Sequence, residues 1–147
     1  MTLTRMPRLV VVDDDGDLAR ELAGLFSDVG YEVSGVATAA REGINLVEQT
    51  MPDVVLMDVK MPGMSGTEAA GVLRRQHPGL PVVLLSAYAD EGIVKAAREA
   101  DVAAYLVKGC TAGELLATVG AVVEESQQRH KTGSAKTVNS GEGVDFR

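Results

Sequence analysis

Asp53-Val54-Val55-Leu56-Met57-Asp58-Val59-Lys60-Met61-Pro62-Gly63-Met64-Ser65-Gly66 holds a strand, a loop and a helix start in one short stretch. Residues 53–57 are mostly apolar and β-branched, too few for a helix and bounded by turn formers. That predicts a strand buried on both faces. Met61 to Gly66 reads as a loop, with Pro62-Gly63 as the breaker. Ser65 followed by Glu68 fits a capping box, which predicts a helix from about Gly66 to Gln76. A buried strand feeding straight into a helix is half of a β-α-β unit.

The same alternation continues outward in both directions. Before it lie a strand at Leu9–Val12 and a helix on which Leu18, Leu22, Leu25, Phe26 and Val29 recur at helical spacing, ended by Gly30. A second strand follows at 31–36, then a helix near 39–49 with Ile44 and Val47 inward, broken by Pro52. After it come a Pro78-Gly79-Leu80-Pro81 turn, a strand at Val82–Leu85, and a helix capped by Asp90 and carrying Ile93, Ala96 and Ala97. A strand at 103–107 and a second capping box, Thr111 with Glu114, lead into the last helix. Its inner stripe is Leu115, Val119 and Val122, with Leu116 and Val123. The pattern predicts an α/β fold, a parallel sheet of five strands with five helices. Right-handed crossovers leave few topologies, and the doubly wound, flavodoxin-like order 2-1-3-4-5 leads them. One domain is expected over residues 8–127. Residues 128–147, rich in Ser, Thr, Gly, Lys and Asn, read as a flexible tail or linker with too little apolar surface to fold alone.

Composition narrows the function classes. A net charge of −7 gives no general pull toward phosphate backbones or anionic lipid, so direct nucleic-acid binding by this segment is not expected. The Leu9–Val12 run is short and ends in three aspartates, and no stretch reads as a signal peptide or membrane span. A single cysteine, Cys110, cannot form an internal disulfide and suits a reducing, cytoplasmic setting. Monomer and switchable dimer are both left open.

In an open parallel sheet, ligands bind at the carboxyl ends of the strands. Here those ends are Asp13-Asp14-Asp15, Asp58, Ser86 and Lys108. Singly, each has an ordinary reading: Asp15 as a helix cap, Asp58 as a turn acid, Ser86 as a turn residue, Lys108 as a solvated cation, Tyr105 as an amphipathic edge residue. Together, four strand ends supply carboxylates, a hydroxyl and an ammonium. Clustered carboxylates repel, and Mg²⁺ relieves that repulsion while sharing its site with phosphate oxygens. A carboxylate is also a nucleophile toward phosphorus, and a lysine and a hydroxyl stabilise the transferring group's charge. His77 and His130 are assigned no role.

These residues carry a resemblance. Val11-Val12-Asp13-Asp14, the Val54–Gly66 stretch, Leu84-Leu85-Ser86-Ala87 and Ala104-Tyr105-Leu106-Val107-Lys108 resemble, in order and spacing, the receiver domains of bacterial two-component response regulators. The likeness covers roughly Arg8 to Gln127. It implies Asp58 as phosphoacceptor, with a sensor histidine kinase or phosphotransfer protein as donor. It implies Mg²⁺ held by Asp14, Asp58 and the main-chain carbonyl of Lys60, with Asp13 acting through a water. Ser86 and Lys108 would bind phosphoryl oxygens, and Tyr105 would turn inward as Ser86 moves. The helix after Ser86, strand five and the last helix would carry the signal to an output partner that the sequence does not name. Small Ala87 would leave Asp58 open to a phosphodonor. The resemblance implies a signalling switch, not a metabolic enzyme.

Two positions depart from the family pattern. Gly109 stands where most members carry a cis proline. A cis bond to a non-proline residue costs about 2.5–4 kcal/mol, so a trans Lys108–Gly109 bond is expected. A non-proline residue here, and the Cys110–Ala117 stretch, resemble the branch with helix-turn-helix output domains. No intact domain of that kind fits within this acidic chain and its short tail. It reads as a single-domain regulator or as the receiver of a longer one. Lys60 places a flexible cation beside the site, where it could alter the phosphoryl lifetime. Two rival readings stand beside this one. Asp13-Asp14-Asp15-Gly16-Asp17 resembles the opening of haloacid dehalogenase-like phosphatases, with Asp13 as nucleophile and Asp15 as acid, but Asp17 and the lack of a later acidic pair count against it. The other rival is a receiver-like binding module that never uses phosphate.

Overall fold

The computed structural model describes residues 6–88 and 90–132. Five parallel strands stand in the order β2-β1-β3-β4-β5. They are β1 (Arg8–Val12), β2 (Glu32–Ala37), β3 (Val54–Asp58), β4 (Val82–Ser86) and β5 (Ala104–Val107). The helices are α1 (Gly16–Asp28), α2 (Ala40–Thr50), α3 (Gly66–Gln76), α4 (Glu91–Glu99) and α5 (Ala112–Thr132). The expected class and order both hold.

The strands place alternate side chains on opposite faces of the sheet. Val10, Val12, Val55, Met57 and Leu84 pack against α2, α3 and α4 through Val47, Ala69, Leu73 and Ala97. Leu9, Val11, Val54, Leu56, Val83 and Leu85 pack against α1 and α5 through Leu22, Phe26, Leu115 and Val119. All five residues of β3 and of β4 are buried, which is why these strands read as unbroken apolar runs. Burying one such Leu or Val contributes roughly 1.5–3 kcal/mol. Phe26 meets Tyr31 edge-on, ring centroids 5.0 Å apart, where the chain leaves α1 for β2.

The caps follow the sequence closely. Ser65 and Glu68 form the reciprocal box that starts α3. Thr111 and Glu114 form the second, at the start of α5. Asp90 caps α4 by accepting from the Ile93 N–H at 2.9 Å. Two expectations need correction. Val29 continues the helical spacing of α1 but is 52% exposed, because the helix stops at Asp28 and Gly30, at φ +107°, turns the chain away. The last helix does not stop near Gln127 but continues to Thr132. Gln, Arg and Lys are good helix formers, and neither Gly nor Pro intervenes before Gly133, so the helix outlasts its apolar stripe. The tail reading of residues 133–147 lies outside the described residues.

Glycine matters most at Gly66. A Cβ there would lie 2.0 Å from the Asp58 carbonyl oxygen, and the Gly66 N–H donates to the Val59 carbonyl at 2.7 Å. The start of α3 is thus pressed against the backbone that ends β3. Gly24, mid-way along α1, has open space around it. Gly24→Ala should raise stability by about 0.5–1 kcal/mol through helix propensity. Gly66→Ala should lower it by about 1–3 kcal/mol or more, because backbone must shift. Urea titration of both variants checks this, and Gly66→Ala as stable as wild type would contradict the close approach.

Candidate phosphoacceptor site

The register of the sheet fixes where the polar side chains emerge. Val12 pairs with Met57, so Asp13 and Asp58 follow one another at the same edge. Asp58 pairs with Leu85 and Ser86 with Val107, which brings the β4 and β5 ends alongside. The Lys108 N–H donates to the Ser86 carbonyl at 2.7 Å, anchoring the lysine backbone to its neighbour. The Lys108–Gly109 bond is trans, as expected. Gly109 has φ +103°, and the Cys110 N–H donates back to the Val107 carbonyl at 3.1 Å. A proline ring holds φ near −65°, so this tight turn excludes the residue most of the family carries.

The Lys108 Nζ lies 3.0 Å from Asp13 Oδ2 and 3.2 Å from Asp58 Oδ1. Both carboxylates are buried, with side chains 2% and 5% exposed, so the pair of contacts is only weakly screened. Asp13 Oδ1 accepts from the Asp15 N–H at 2.9 Å. Asp15 itself caps α1, accepting from Asp17 and Leu18, which selects the ordinary reading for this residue. Asp14 is exposed. One carboxylate oxygen from each of Asp13, Asp14 and Asp58 lies within 4.8 Å of the others. This close set of hard oxygens fits a divalent cation such as Mg²⁺.

Electrostatics agree with crowding. Burial pushes the Asp58 carboxyl up to about 6, helped by the nearby Asp13 charge and opposed by Lys108. Burial works against the Lys108 ammonium, but hydrogen bonds to Asp13 and Asp58 outweigh it and raise its pKa. At neutral pH the site therefore holds an ionised Asp58 and a charged Lys108.

The remaining predicted residues sit slightly apart. The Ser86 hydroxyl is held within its own loop, donating to the Tyr88 carbonyl at 2.9 Å and accepting from the Tyr88 N–H at 3.1 Å. Tyr105 is turned inward, 2% exposed, and its hydroxyl donates to the same Tyr88 carbonyl. Ala87 is exposed above the strand end. The Lys60 Nζ lies over the Tyr88 ring, 5.4 Å from its centroid. Tyr88 escaped the sequence reading because its part is played by a main-chain carbonyl, which residue type does not advertise.

The phosphatase alternative fits poorly. Its nucleophile would be Asp13, yet both Asp13 oxygens are engaged, one by the Asp15 N–H and one by the Lys108 ammonium.

The raised Asp58 pKa has a sign that can be checked. A carboxyl whose folded pKa lies above its unfolded value of 3.8 binds its proton more tightly when folded. It therefore costs stability as pH rises from about 4 to about 6, and the full cost remains above that window. In metal-free buffer at pH 7.5, Asp58→Asn should be more stable than wild type by about 1–2 kcal/mol, less than the full shift implies because the charged contact with Lys108 is lost. The gain should vanish below about pH 4. Thermal melts across pH would show this, and a gain that grows toward acid would reverse the assignment.

Comparison with known proteins follows the geometry. Residues 9–120 match the model of the response regulator receiver domain. The transcriptional regulatory protein PdtaR of Mycobacterium tuberculosis is 35% identical over 84% of this chain and 60% of its own length. The response regulator GacA of Pseudomonas viridiflava is 34% identical over 78% of this chain and 54% of its own length. The chain thus spans between half and three-fifths of these curated relatives. A CheY-like receiver domain from Methanospirillum hungatei superposes with a TM-score of 0.81 at 27% identity, covering 84% of this chain and 98% of the other. The chain belongs to the response regulator receiver domain family.

Proposed function

We propose that this chain is a phosphorylation-activated switch that takes a phosphoryl group onto Asp58 from the phosphohistidine of a sensor kinase or a phosphotransfer protein. The observation that carries the reading is Lys108 Nζ bridging Asp13 and Asp58 within 3.0 and 3.2 Å beside a third carboxylate. An ionised Asp58 oxygen attacks phosphorus, the phosphorus–nitrogen bond breaks, and the imidazole leaves with the electron pair. Water later attacks phosphorus, the bond from phosphorus to the Asp58 oxygen breaks, and inorganic phosphate leaves as the carboxylate is restored. Asp14, Asp58 and the Lys60 carbonyl would hold Mg²⁺, with Asp13 reached through a water. When bound, the ion neutralises carboxylate repulsion and charge on the phosphoryl oxygens.

Each remaining residue answers the arriving charge. Lys108 needs only a small shift from its carboxylate contacts to meet a phosphoryl oxygen. Ser86 must give up its bond to the Tyr88 carbonyl to donate to another. Tyr105 shares that carbonyl, so the two side chains are coupled by one acceptor. A phosphoryl group that binds one arrangement better shifts the population toward it, and α4, β5 and α5 form the surface that changes. The role is signalling from the cytoplasm to an output partner or a further domain, not metabolic turnover. Among the described residues, no helix is long and apolar enough to cross a membrane.

Incubation with Mg²⁺ and acetyl phosphate, followed by intact mass measurement, tests the reading. One phosphoryl adduct is expected on wild type and none on Asp58→Asn. EDTA should suppress the adduct at least tenfold. An adduct that persists in Asp58→Asn would move the acceptor elsewhere. Absence of any adduct, with no response to beryllofluoride, would favour the phosphate-independent module.

A further inference from the structure

Tyr88 is 58% exposed, yet its main chain is a meeting point of the switch residues. Its carbonyl accepts from the Ser86 hydroxyl and from the Tyr105 hydroxyl, and its N–H donates to Ser86. Tyr105 is buried, and a buried hydroxyl without an acceptor is costly. The inward position of Tyr105 is therefore favoured while the Tyr88 carbonyl stays in place. That carbonyl belongs to a loop, and loops are the mobile parts of such a fold.

One contact ties this loop to a stiffer one. Lys60 Nζ sits 5.4 Å from the Tyr88 ring centroid, within the range of a cation–π attraction. Lys60 lies two residues beyond Asp58, on the segment that Gly66 presses against the β3 backbone. Among the described residues, no ion pair competes for its ammonium. We propose that Lys60 is a positioning residue: its ammonium on the Tyr88 ring holds the Tyr88 carbonyl where Tyr105 donates to it, biasing the unphosphorylated chain toward inward Tyr105. The proposal rests on reading the chain as a switch on Asp58. It adds that the resting equilibrium is set from the phosphoacceptor loop before any phosphoryl group arrives. When Ser86 leaves for a phosphoryl oxygen, the Tyr88 carbonyl keeps Tyr105 as its donor, and the Lys60 contact still holds it in place.

The test uses the full chain with ¹³C-labelled tyrosine, free of Mg²⁺ and phosphodonor, with the Tyr105 ring signal assigned from Tyr105→Phe. An exposed cation–π contact corresponds to roughly a two- to fivefold change in a population ratio. Lys60→Gln and Tyr88→Leu should each shift the Tyr105 signal toward the outward state by about that factor. Lys60→Arg and Tyr88→Phe, which keep the cation and the ring, should match wild type. The double variant Lys60→Gln with Tyr88→Leu should go no further than the larger single change. A wild-type Tyr105 signal in Lys60→Gln would overturn the proposal, as would equal changes in Lys60→Gln and Lys60→Arg, or fully additive singles. Wild type with Mg²⁺ and beryllofluoride separates the two levels. No change in any tyrosine signal there, that of Tyr88 beside Ser86 included, removes the switch reading and the proposal together. A response there, with an unmoved Lys60→Gln resting signal, removes only the role of Lys60.

Discussion

Three carboxylates held within 4.8 Å of one another repel, and the fold answers with one ammonium placed 3.0 and 3.2 Å from two of them. Much of the sheet's upper edge can be traced to that balance. Lys108 reaches Asp13 and Asp58 only because β5 lies beside β4, β4 beside β3, and β3 beside β1. A different strand order would separate the charges that must meet. The backbone bond from the Lys108 N–H to the Ser86 carbonyl sets the lysine's height above the sheet. The balance is incomplete, since Asp58 remains raised to about 6 despite Lys108. A site left with surplus negative charge is prepared for a cation, and a cation-bearing site is prepared for a phosphoryl group.

The same edge shows why the surrounding backbone is tight. Asp58 is followed at once by a loop that folds back so closely that a methyl group on Gly66 would overlap the Asp58 carbonyl oxygen. The reciprocal cap between Ser65 and Glu68 starts α3 at that point and satisfies backbone donors that the helix itself leaves without a partner. On the far side, Gly109 turns the chain with a positive φ directly after Lys108. Asp58 and Lys108 are thus each followed by a glycine-dependent bend. Precision in the charged centre is obtained from backbone geometry on both flanks.

Most of the architecture was legible in the sequence, and the reasons are physical. Strands buried on both faces cannot hide their apolar runs, so β1, β3 and β4 stood out within a residue of their ends. Capping boxes are local chemistry, so the first residue of α3 was read correctly from Ser65 and Glu68. Val29 and the end of α5 were misread because both depend on where a helix stops. Spacing continues to suggest an inner face after the chain has turned away, as at Val29. A helix of Gln, Arg and Lys also continues without an apolar face to announce it. In the site, side-chain chemistry was legible and main-chain chemistry was not. Asp13, Asp14, Asp58 and Lys108 converge as their strand positions implied. The carbonyl of Tyr88 and the missing Cβ of Gly66 left no mark that residue type alone could reveal.

That distinction bears on how such a switch is built. Ser86 and Tyr105 both turn their hydroxyls to one carbonyl on the intervening loop. A carbonyl has two lone pairs and can accept both protons, so the resting state satisfies both side chains without strain. On the proposed reading, a stronger acceptor near Asp58 draws Ser86 away and tilts a balance that already exists at rest. A phosphoryl oxygen carries more charge than an amide carbonyl and forms the stronger bond. The energy gap between the two arrangements is therefore a difference between two hydrogen bonds to Ser86, modest in size, and small contacts elsewhere on the loop are large enough to tilt it. The residues that tune the resting balance need not touch the phosphoryl group. They need only touch the loop whose carbonyl the two hydroxyls share.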